Sequence, residues 1–123
     1  MGLIGEKLWE YQGKMTSVTL GEAGKVVNTE GNVEQLGTVL VTETFALPVD
    51  AAGETGPATV HGQAFLANGE TLSFTGAGTW RKSGVHQWEA KWIQQTLDGQ
   101  RLFVVEEHDL ASRSVSATVY ALD

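Results

Sequence analysis

Two glutamates occupy positions where alternation along a strand would carry them to the same face as apolar residues. Glu43 follows Val39 and Val41 and precedes Phe45 at every second position, and Glu106 follows Leu102 and Val104 and precedes His108 in the same rhythm. On an inward face these carboxyls would sit in apolar surroundings, which raise a carboxyl pKa toward the range suited to proton transfer. At the rim of the fold they would instead be solvated, as charged side chains usually are. Tyr11, Gln94 and His108 are the polar side chains expected as partners.

The run Glu106-Glu107-His108-Asp109 also contains metal-ligand types. Glu106 and His108 could converge on one ion, but a usable site needs a third ligand, and spacing places neither His61 nor His86 beside them. The expectation is a solvated acidic rim, with no metal and no other cofactor assigned. The chain has no cysteine, so thiol nucleophiles, thiolate metal sites and disulfides are excluded. Its glycine pairs fall inside strand-like stretches rather than before helices, which rules out a phosphate-cradling loop. No serine or threonine can be matched with a base.

Trp80, Trp88 and Trp92 are the other conspicuous group, and HQWEAKWIQQ, from His86 to Gln95, shows what positions them. Read as a strand, Trp88, Ala90, Trp92 and Gln94 share one face, and only Ile93 is out of place on the other. Read as a helix, the same stripe runs on to Gln95 and Gly99, which have nothing to bury. The strand reading is preferred. Leu72, Phe74, Gly76, Gly78 and Trp80 alternate with polar residues just upstream in the same way. The three indoles then lie on neighbouring strands, opposite small residues at Gly76, Gly78 and Ala90. They either fill a core or line a pocket for an apolar ligand, with Tyr11, Phe74, Gln94 and His108.

Asn68-Gly69 and Asp98-Gly99 are dipeptides suited to two-residue type I′ hairpins, and Lys82-Ser83-Gly84 marks a looser turn. The strands so bounded are Leu8–Leu20, Val26–Gln35, Thr38–Leu47, Ala58–Ala67, Glu70–Arg81, Val85–Leu97, Arg101–His108 and Ser114–Leu122. Gly21 to Gly24 and Asp109 to Ser112 form further turns, and Pro48 to Pro57 is the longest loop, a candidate mobile tip. Short-looped antiparallel strands in even number close by pairing first with last, which removes exposed edges. The expected fold is all-β, an eight-stranded antiparallel up-and-down β-barrel over residues 1–123 as a single domain, with a β-sandwich as the alternative. The inner face should carry Trp9, Tyr11, Met15, Val39, Val41, Phe45, Leu72, Phe74, Trp80, Trp88, Trp92, Leu102, Val104, Val115 and Val119. The seventh strand is ambiguous, because Phe103 and Val105 compete with Leu102 and Val104.

The stretches GEKLWEYQGKMTSV, EGNVEQLGTVLVTET, HGQAFLANGE and SFTGAGTW resemble a family of small bacterial and archaeal conserved proteins of unassigned function, similar in architecture to allene oxide cyclase and other lipocalin-like (calycin) barrels. The resemblance implies the fold and no catalytic residue. Gly78-Thr79-Trp80 is similar to the glycine-x-tryptophan signature of lipocalins and avidins, but it lies in the fifth strand, so those families' ligand assignments do not transfer.

With 123 residues the chain is long enough for one buried core, and a net charge of −7 disfavours nucleic acid and anionic lipid. MGLIGEKLWE has neither the apolar length nor the cleavage site of a secretory signal, and Glu6 stands where a myristoylation motif needs Ser or Thr. A cytoplasmic protein without membrane or nucleic-acid partners is expected. Its foremost function would be to bind a small hydrophobic molecule against the indoles, with Glu43 or Glu106 orienting the ligand's polar end. A cyclase or isomerase using one of those carboxyls as acid-base catalyst is the alternative, which leaves enzymatic activity open. A packed module that dimerises through Leu8, Leu40 and Ile93 is the third.

Overall fold

A computed structural model describes residues 3–22, 24–46 and 54–122, and the regular structure in them is extended throughout. The strands are β1 (Ile4–Gly21), β2 (Gly24–Val33), β3 (Gly37–Phe45), β4 (Thr55–Leu66), β5 (Thr71–Gly84), β6 (Gln87–Thr96), β7 (Arg101–Asp109) and β8 (Ser114–Leu122). Each pairs antiparallel with the next, and β8 returns to β1, so the sheet is a closed barrel and not a sandwich. Closure depends on the length of β1. Its Tyr11–Lys14 stretch bonds β8 on one edge and β2 on the other, and a bulge between Met15 and Ser17 lets the strand bend from one partner to the next.

The turns differ from the sequence expectation in a consistent way. At Asn68-Gly69 and Asp98-Gly99 only the glycine is left-handed, with φ of 92° and 93°. Leu66 N donates to Glu70 O and Gly69 N to Leu66 O, and Thr96, Gly99 and Gln100 repeat the pattern. These are three-residue loops with glycine at the left-handed position rather than type I′ turns. Lys82-Ser83-Gly84 is not a turn: β5 continues through it with a bulge, and the chain reverses at Val85–His86, where His86 has φ 55°. β2 stops at Val33 and not Gln35, because Gln35 is left-handed at φ 71°. Most of the expected Pro48–Pro57 tip lies outside the described residues, and Thr55–Pro57 already belongs to β4.

Alternation decides what points inward. In β6 the residues Trp88, Ala90, Trp92, Gln94 and Thr96 are all buried, and in β7 so are Leu102, Val104, Glu106 and His108. The ambiguity of the seventh strand resolves in favour of that face, leaving Phe103 and Val105 half-buried on the outside. The expected inner residues are all buried or packed against the core. Val27, Thr29 and Val33 of β2 and Ala58, Val60 and Ala64 of β4 join them. Each large apolar side chain so buried contributes about 1.5–3 kcal/mol of transfer free energy, which makes the interior the main source of stability.

Candidate functional site

β3 and β7 stand four places apart in the closed order of eight, so their inward side chains meet across the barrel axis. Glu43 enters from β3, and Glu106 and His108 enter from β7. All three are sealed from solvent, at 1%, 3% and 2% exposure. His108 Nε2 lies 2.8 Å from Glu43 Oε1 and 3.2 Å from Glu106 Oε1, so one ring N–H faces two carboxyls. Trp92, from β6, donates its indole N–H to Glu106 Oε1 at 2.9 Å. The Trp88 ring stacks on the imidazole, with centroids 4.8 Å apart and planes 9° from parallel, and Phe45 meets it edge-on at 5.4 Å. The acidic rim expected at Glu106–Asp109 is therefore corrected in half its members. Strand alternation turns Glu106 and His108 inward and leaves Glu107 exposed and Asp109 half-buried.

The low-dielectric interior separates the two carboxyls in acidity. Burial, reinforced by the charge of Glu106, pushes Glu43 well above the ordinary range. Burial acts on Glu106 in the same direction. There, however, the charge of His108 and hydrogen bonds from Glu43, His108 and Trp92 outweigh it, and its pKa falls below the ordinary value. For His108, burial favours the neutral ring, but the two carboxyls prevail and push its pKa up to about 10. These opposed shifts favour a protonated Glu43 beside an ionised Glu106 and an imidazolium, a group with no net charge. Glu43 Oε2, Trp88 Nε1 and His108 Nδ1 are buried and have no hydrogen-bond partner among the described residues.

Glu43 and Glu106 also form part of the wall of a cavity of about 70 Å³ on the side of the β2–β3, β4–β5 and β6–β7 turns. The rest of the wall is largely apolar and includes Trp9, Leu36 and Phe74. Three of the residues expected to bind ligand, Tyr11, Phe74 and Gln94, line this cavity, and Trp80, Trp88, Trp92 and His108 do not. The single pocket expected around the three indoles is thus divided. Trp92 is packed into the wall beside Glu106, whereas Trp80 and Trp88 line a second hollow of about 230 Å³ towards the opposite end, where Lys25 Nζ lies 4.7 Å above the Trp88 ring. Phe45 contacts all three indoles and fills the space between them.

Tyr11 is not bonded to the carboxyls as anticipated. Its hydroxyl pairs with Thr29 Oγ1 at 2.9 Å, and burial pushes its pKa up. The ring reaches Thr29 because it lies over Gly13 and Gly31, where an added Cβ would come within 2.7 Å and 2.8 Å of Tyr11 atoms. Trp9 and Thr96 are cavity residues that were not anticipated as site residues, although Trp9 was expected to point inward. Leu40 and Ile93, the exterior residues expected at a dimer contact, lie on β3 and β6 with two strands between them, and Leu8 is partly packed against the core. Compared with family models, with curated proteins and with solved structures, the chain matches none.

Proposed function

We propose that the protein is a small-molecule-binding barrel of calycin-like architecture. Its ligand has a compact apolar body, held in the cavity beneath Trp9 and Phe74, and one polar end directed at Glu43 and Glu106. The observation that carries this reading is the placing of two carboxyls in a largely apolar cavity wall, one of them with an oxygen that has no partner among the described residues. A buried polar oxygen left unpaired costs about 1–3 kcal/mol, and a ligand group hydrogen-bonded to it would recover that. At about 70 Å³ the space is smaller than the ~150 Å³ void known to take benzene. The favoured ligand therefore has few heavy atoms. Outward positions of β5 carry Thr71, Ser73, Thr75 and Thr79, a face suited to water rather than lipid, in keeping with a cytoplasmic setting.

The test is a titration with short alcohols, amides and amines, followed by tryptophan fluorescence. Saturable change in the wild type that weakens at least tenfold in Glu43→Gln supports the reading. No response to any of these probes, in a protein shown to be folded, sinks it.

A second reading, a cyclase or isomerase, is favoured by the opposite shifts of the two carboxyls. Paired groups whose environments drive their acidities apart are the arrangement that lets one donate and the other accept a proton. Glu43 would act as acid and Glu106 as base. Glu106→Gln should abolish turnover of a substrate that binds, while full turnover in that variant would remove this reading.

A further inference from the structure

We infer that Glu43, Glu106 and His108 form a binding site for one first-row divalent transition-metal ion, with the ion's free coordination positions facing the cavity. Two carboxylates and one imidazole are the donor types such ions take in the absence of thiolate. Their spacing is the stronger argument. Nitrogen and oxygen donors held about 2.0–2.2 Å from an ion and at right angles about it lie roughly 2.8–3.1 Å apart. The His108 Nε2 contacts at 2.8 Å and 3.2 Å are already close to that edge length, and the donor atoms all lie within 4.8 Å of one another. The Nε2 proton of His108 and the carboxyl proton of Glu43 would both be released to solvent, and the ion would take their place.

An independent feature points to the same place. Glu43 is 1% exposed, lines the cavity, and leaves Oε2 with no partner among the described residues. That oxygen can complete a bidentate carboxylate. The surrounding groups already orient the donors: Trp92 N–H fixes Glu106, and Trp88 and Phe45 hold the plane of the imidazole. A hydrogen bond to a ligand carboxylate, here to the Oε1 that also faces His108, is a usual support of a metal site. Charge also balances, because a divalent ion, two carboxylates and a neutral imidazole sum to zero. That matters in an interior where a net charge would be costly.

The inference rests on the reading of the cavity as a ligand site and narrows it, since the polar end of the ligand becomes an oxygen or nitrogen donor to the ion. The remaining histidines, His61 on β4 and His86 in the β5–β6 turn, are exposed; they are the places where adventitious metal would bind.

The experiment titrates the whole metal-free chain with Co(II) at pH 8, reading the visible absorption bands and tryptophan quenching, with Zn(II) as competitor. The expected result is one ion per chain, displaced by Zn(II) and bound more weakly at pH 6, since the imidazole and the Glu43 carboxyl must each surrender a proton. Affinity should fall at least tenfold in Glu43→Gln and in Glu106→Gln, with circular dichroism confirming the fold, and stay unchanged in the double variant His61→Ala and His86→Ala. Absence of a saturable 1:1 phase, or a phase lost only in the surface double variant, overturns the inference. The fluorescence response to alcohols and amides in metal-free protein separates the two ideas: if it persists without metal binding, only the metal site is lost, and if metal binds without it, only the organic ligand is.

Discussion

Replacing each buried carboxyl by its amide tests the assignment of protons within the barrel. In Glu43→Gln the lost group is one whose burial favours the neutral acid, so the amide keeps an acceptor 2.8 Å from His108 Nε2 and is expected to remove no charge. Its NH₂ takes the place of an oxygen that had no partner, and the expected cost is about 1–2 kcal/mol, that of one unsatisfied donor. In Glu106→Gln the imidazolium loses an ionised neighbour and the Trp92 N–H loses a charged acceptor. Breaking a buried pair in this way typically costs about 3–5 kcal/mol. A domain of this size has a total stability of roughly 6–18 kcal/mol, so the second variant should remain folded but with a small margin. Urea unfolding at pH 7, followed by tryptophan fluorescence, gives both numbers, and thermal midpoints should separate by about 5–15 °C. If Glu43→Gln proves as costly as Glu106→Gln at pH 7, the charge does not reside on Glu106 and the electrostatic account of the site fails.

The pH dependence of wild-type stability is a related prediction. His108 has a folded pKa of about 10, above its usual value of about 6.5; its contribution is complete below the usual value and lost as pH rises through the folded one. Glu43, also shifted up, has the same sign. Stability should therefore decline between pH 7 and 10, by up to about 1.4 kcal/mol per unit for the His108 proton, and a flat urea midpoint over that interval would contradict it. Trp92→Phe removes the hydrogen bond to ionised Glu106 and should cost about 1.5–3 kcal/mol, measured by the same unfolding assay. It should also move the Glu106 pKa upward in carboxyl NMR titration. Gly62→Ala should cost about 1–3 kcal/mol through overpacking, because the added Cβ comes within 2.5 Å of Phe74 Cζ and 2.6 Å of Leu40 O. Phe74→Ala in the same chain should relieve the first of these contacts and leave the second.

The architecture was legible because period and punctuation agree along most of the chain. Trp88, Ala90 and Trp92 alternate with Glu89 and Lys91, and turn dipeptides bound the flanking strands, so pairing of neighbours follows from chain order. Turn type was less legible: Asn-Gly and Asp-Gly serve both two-residue and three-residue loops, and hydrogen bonding of the closing pair selects between them. The inner face of β2 was not legible for a different reason. It includes Thr29 and Gly31, which break the apolar rhythm and find their purpose only in the phenol of Tyr11.

Residue order alone specified the strands and their sequence around the sheet, and it put Glu43, Glu106 and His108 in step with apolar residues without deciding between an inward face and a solvated rim. It did not specify that these three would touch, since 65 positions separate Glu43 from His108. Closure of the sheet did that, by placing β3 opposite β7. The same closure set Trp92 behind Glu106 and sent Trp80 and Trp88 to a separate hollow. Acidity belongs wholly to the folded state, because desolvation and the field of a neighbouring charge exist only once water has been excluded and the groups stand within a few ångströms.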